Sequence, residues 1–101
     1  MVNRKAFGNS LRVARKASNL SQEDFSDVSS RTYLSSLERG LKSPTLEKVD
    51  SLAGRMNLHP LTLMTLAYLC DANETDAGHL LDHVKNEVGR ILSYARQATR
   101  G

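Results

Sequence analysis

The apolar residues of this chain recur three or four positions apart almost from end to end, and that spacing constrains the fold more than any other feature. Leu46, Val49, Leu52, Ala53 and Met56 make one such stripe, and Leu80, Leu81, Val84, Val88, Ile91 and Leu92 make another. Helices with one apolar face produce this pattern, whereas strands alternate. Two prolines and five aromatics leave few strand signals. The expectation is an all-α chain.

Local punctuation divides it into short helices. The first is predicted from about Asn3 to Ala17, with Ala6, Phe7, Leu11 and Ala14 on one side and Arg4, Lys5, Arg12, Arg15 and Lys16 elsewhere; Asn19 is the stop. A second opens at Ser21, where Ser21-Gln22-Glu23-Asp24 resembles a capping box, and ends near Val28. Ser30 caps a third, and Gly40, suited to the left-handed conformation, stops it. Thr45 caps a fourth, Leu46 to Met56, and Pro60 suits the first position of a fifth that reaches about Cys70. Asp71 to Thr75 reads as a polar break before a last helix from about Asp76 to Ala98. The predicted architecture is thus a five-helix domain over residues 1–70 and an amphipathic helical extension over 71–101. No internal repeat or low-complexity tract interrupts it.

The 101 residues suit one domain with one core, and 40% hydrophobic with 25% charged content is ordinary for a globular chain. No apolar run reaches the length of a membrane span, and the opening MVNRKAFGNS lacks the apolar centre of a signal peptide, so a cytoplasmic location is the default expectation. Cys70 is the single cysteine, which excludes an intramolecular disulfide and a thiolate metal cage; a buried, inert thiol is its plain reading. His79 and His83 stand at i, i+4 without a third ligand at a convincing spacing, so neither an enzyme nor a metal site is expected, and no cofactor. The net charge of +3 is mild, but residues 1–20 carry five basic side chains and no acid. One end of the chain suits a polyanion.

The segment SSRTYLSSLERG, Ser29 to Gly40, carries the functional signal. On a helix turning about 100° per residue, Tyr33, Leu34 and Leu37 share one side, while Arg31, Thr32, Ser35, Ser36 and Arg39 share the other. A short capped helix immediately precedes it, with Phe25 available for the core and small Ser26 where two steeply crossing helices need close approach. A short helix, a tight turn and a helix with a polar outer face make a helix-turn-helix candidate.

Here the sequence resembles the Cro and phage-repressor-like helix-turn-helix regulators, the Xre family. Leu11-Arg12 with Arg15, then Leu20-Ser21-Gln22-Glu23-Asp24-Phe25, Ser30 to Gly40 and Ser43-Pro44-Thr45-Leu46 carry the likeness, over roughly residues 4 to 66. It implies that Arg31 and Thr32, with Ser35 and Ser36, face base edges, Arg31 being the best reader because a bidentate guanine contact discriminates by about 1–3 kcal/mol. It implies phosphate contacts from Gln22, Ser21, Arg39, Lys42 and Ser43. Tyr33 admits two roles, packing on the sugar-phosphate backbone or closing the core edge. Arg15 and Glu38 are implied to form a structural ion pair. One departure is that the Asp24 to Ser30 connection is shorter than the family's and has no glycine. The end of the second helix and the tilt of the third are therefore open, with Asp27 or Ser29 available to stabilise the turn.

A single small reading head binds weakly, so double-stranded DNA with a pseudo-palindromic operator and a homodimer are the expected partners, with half-sites about 34 Å apart. Two apolar surfaces could join the subunits: the fifth helix, with Leu66 and Leu69, or the final helix, with Leu80, Leu81, Val84, Val88 and Ile91. The leading expectation is a repressor. Alternatives are an antitoxin whose last helix meets a partner protein, a controller of a restriction-modification system, and an interaction module that keeps the fold without reading DNA.

Overall fold

The computed structural model describes residues 3–69 and 74–100. Five α-helices follow one another: α1 (Arg4–Ala17), α2 (Arg31–Glu38), α3 (Leu46–Arg55), α4 (Pro60–Leu69) and α5 (Glu74–Arg100), with a 3-10 turn at Gln22–Phe25 between α1 and α2. No strand occurs among the described residues. The chain falls into two units, residues 1–70 and 71–101. Cys70 and the break at Asp71, Ala72 and Asn73 lie outside the described residues.

The first unit is built by caps and one shared core. The side chains of Asn3, Ser30 and Thr45 accept from the backbone amides of Ala6, Tyr33 and Lys48, fixing the starts of α1, α2 and α3. All three helices also end alike. Asn19, Gly40 and Asn57 take φ of 60°, 75° and 58°, and the following amides of Leu20, Leu41 and Leu58 donate back to the carbonyls of Arg15, Ser36 and Ala53. This is the Schellman arrangement, which satisfies carbonyls the helix leaves open.

α1 packs on α2 and α4, and α3 on α4. Phe25, Leu11, Leu34, Leu37, Leu52 and Leu63 are completely buried between them. Removing one such leucine side chain costs about 2–5 kcal/mol. A close backbone approach is made at Gly8 of α1, whereas Ser26 is exposed. A Cβ on Gly8 would collide with the Leu37 carbonyl and stand 2.8 Å from the Glu38 carbonyl oxygen, so α1 and α2 meet backbone to backbone.

The predicted second helix is only a four-residue 3-10 turn. After Phe25, whose ring is buried, Ser26 to Ser30 adds only half-buried Val28 to the core and is rich in hydroxyls that favour turns over helix interiors. α4 is apolar nearly all round, yet only Leu63 and Ala67 are buried, while Leu61 and Tyr68 are exposed. In the second unit, α5 begins at Glu74 and runs to Arg100, longer at both ends than its apolar stripe indicated. Leu81, Val84, Val88, Ile91 and Leu92 on it are exposed. No helix among the described residues is long and apolar enough to cross a membrane.

Candidate nucleic-acid interface

The site is α2 with the turns on either side. Leu34 and Leu37 fasten its inner face, and Arg31, Thr32 and Arg39 stand exposed on the outer one, followed by exposed Lys42 and Ser43. Ser30 caps the helix one residue before Arg31. Arg31 and Thr32 therefore occupy the exposed first turn.

Two hydroxyls of the predicted reading face are placed differently. Ser35 is half-buried and Ser36 is buried, 8% exposed. An ideal helical wheel has no account of the chain that follows, and here it doubles back: the Leu41 amide donates to the Ser36 carbonyl at 2.9 Å. Ser36 has too little surface to reach a base.

At the inner end of α2, Glu38 is 4% exposed and gathers three side chains. Arg15 grips it with two parallel bonds, Nε to Oε2 at 2.7 Å and Nη2 to Oε1 at 3.0 Å. Gln22 Nε2 donates to the same Oε1 at 3.2 Å, and Arg12 Nη2 reaches the Glu38 carbonyl at 3.2 Å. Arg15 Nη1 donates to the Leu20 carbonyl at 3.0 Å, so one guanidinium joins α1, the turn and α2. These bonds to Glu38 push the Arg15 pKa above its ordinary range, against the opposing effect of burial.

The Ser21 hydroxyl is engaged locally. Its Oγ accepts from the Asp24 amide at 3.3 Å while Asp24 Oδ2 accepts from the Ser21 amide at 2.7 Å, a reciprocal box. The Ser21 amide and hydroxyl hold the Asp24 carboxyl below the usual carboxylate range.

The short connection is fastened from α3 by two residues that sequence patterning did not single out. Lys48 Nζ donates to the Val28 carbonyl at 2.7 Å, and Arg55 Nε donates to the Asp24 carbonyl at 2.7 Å while standing 3.6 Å from Asp27. Asp27 thus meets a side chain from α3 rather than a nearby amide, and Ser29 Oγ donates to the Ser30 carbonyl at 3.2 Å. Tyr33 is half-buried, with Lys42 Nζ 5.5 Å and Lys48 Nζ 5.4 Å from its ring centroid. That spacing is a cation–π arrangement. Helical periodicity could not reveal either α3 residue, because both act across the fold.

A short capped turn crossing behind a helix whose outer face is basic and hydroxylic defines a DNA-binding helix-turn-helix domain. A family model described as helix-turn-helix matches residues 11–63, and the chain belongs to that Xre/Cro-like family, a class of DNA-binding transcriptional regulators. Among solved structures, the clp gene regulator ClgR from Corynebacterium glutamicum is similar at 22% identity, with 91% of this chain and 92% of that one covered and a TM-score of 0.60. That likeness is one of fold. No curated protein matches the chain.

Proposed function

We propose that the protein is a homodimeric repressor that lays α2 into the major groove of a pseudo-palindromic operator. The observation that carries this reading is the division of α2: one side is locked into the core by Leu34, Leu37 and the Glu38 bonds, and the other leaves Arg31 and Thr32 exposed at its amino end. A groove-wide helix fixed so firmly presents its first turn as a rigid reading edge.

Arg31 and Thr32 read base edges, Ser35 lies close enough for contact through water, and Ser36 is set aside because it is buried. Arg39, Lys42 and Ser43 meet phosphates at the carboxyl end of α2, where such contacts set register without reading sequence. Gln22 keeps a second amide N–H for a phosphate while the first holds Glu38. Ser21 contributes through its cap rather than its hydroxyl, and Tyr33, flanked by two lysines, closes the core edge and lines the backbone together.

Dimerisation brings two such heads to half-sites about 34 Å apart. The apolar stripe of α5, half-buried Leu80 followed by exposed Leu81, Val84, Val88 and Ile91, supports that role better than Leu66 and Leu69 of α4. A footprint of the full chain on DNA flanking its own gene tests the reading: two protected half-sites one helical turn apart support it, and protection without symmetry, or none, contradicts it. Transcription from that DNA, lowered when the protein is added, tests the sign.

A further inference from the structure

Arg31 has a long, exposed side chain at the first turn of α2, yet its guanidinium is held. Nη1 donates to Glu23 Oε1 at 3.0 Å, although the two side chains are 70% and 74% exposed. An ion pair so open to water adds little to stability. Its place on a face suited to a polyanion needs another account, because a carboxylate there weakens attraction to any duplex.

The other acids of the turn are committed elsewhere: Asp24 closes the box with Ser21, and Asp27 faces Arg55. Glu23 alone is aimed at the reader. By occupying Nη1 it favours one roll of the guanidinium and leaves Nε and Nη2, two parallel donors whose spacing matches guanine O6 and N7. A phosphate approaching the same guanidinium meets the Glu23 charge at short range.

We propose that Glu23 is a positioning residue: it presents the Nε–Nη2 edge of Arg31 to a guanine and keeps that guanidinium off phosphate, raising base discrimination at the expense of overall affinity. The proposal rests on α2 being the reading helix.

The test is a double-mutant cycle on the full chain. A site enriched from a randomised duplex pool by the wild-type protein, and its single-base-pair variants, are titrated with wild type, Glu23→Gln, Arg31→Ala and the double variant. Thermal unfolding of Glu23→Gln is expected to match wild type. Glu23→Gln should bind unrelated duplex more tightly and lose roughly tenfold in discrimination, at the one base pair of each half-site where Arg31→Ala also relaxes preference. The double variant should discriminate no worse than Arg31→Ala alone. If Glu23→Gln tightens binding to every duplex by one common factor, or acts equally with and without Arg31, it acts as a bare charge and the proposal is overturned while α2 remains the reader. If Arg31→Ala leaves discrimination untouched, the reading of α2 fails and the role of Glu23 fails with it.

Discussion

Glu38 is a buried carboxylate whose cost of desolvation is offset by Arg15, Gln22 and Arg12 together. Removing one partner of such a pair leaves charge in the interior, so Arg15→Ala should lower unfolding stability by about 3 kcal/mol, read from urea denaturation. Arg31→Ala, at an exposed pair, should change it by less than about 1 kcal/mol. The Ser21–Asp24 box makes a pH prediction. Because the folded-state pKa of Asp24 is depressed, the box stabilises the fold above the unfolded-state pKa and loses that contribution as pH falls through the folded value. Carboxyl chemical shifts followed through an acid titration should place Asp24 below the ordinary value, and Ser21→Ala should move it part of the way back.

At the scale of the elements, α1 and α2 meet across Gly8, where an added methyl would strike backbone that cannot rotate aside. Gly8→Ala should destabilise the fold by about 2–3 kcal/mol. Gly54, exposed on α3 with open space where a Cβ would stand, is the control: Gly54→Ala should stabilise by about 0.5–1 kcal/mol, since helical glycine costs about that much relative to alanine. Caps and stops such as Ser30, Thr45, Asn19 and Gly40 were legible in the sequence, because each acts within a few residues of itself. So were Leu34 and Leu37, whose spacing alone selects one face. The 3-10 turn was not, since its shape depends on Lys48 and Arg55 arriving from α3, 20 and 31 residues from the carbonyls they hold. Burial of Ser36 was hidden for the same reason: it depends on where the chain goes after Gly40. Of the candidate site, the sequence therefore disclosed the outer residues of α2 but neither the fastening of its turn nor the hold on Arg31.

For the whole molecule, the proposed homodimer gives a head with a short reading edge its second copy, joined through the exposed stripe of α5. Val88→Asp places a charge on that stripe, and sedimentation should then show a monomer with an unfolding transition of the head unchanged; a persisting dimer would move the interface to α4. The central claim is that α2 reads base edges through its first turn while the residues after it hold the backbone. It is tested most directly by titrating a selected site and its single-base-pair variants with Arg31→Ala and Lys42→Ala at several salt concentrations. The account predicts that Arg31→Ala erases about 1–3 kcal/mol of preference at one base pair per half-site. Lys42→Ala should weaken all sequences alike and lower the salt slope by about one. An Arg31→Ala protein that retained the full preference of the wild type at every base pair would contradict it.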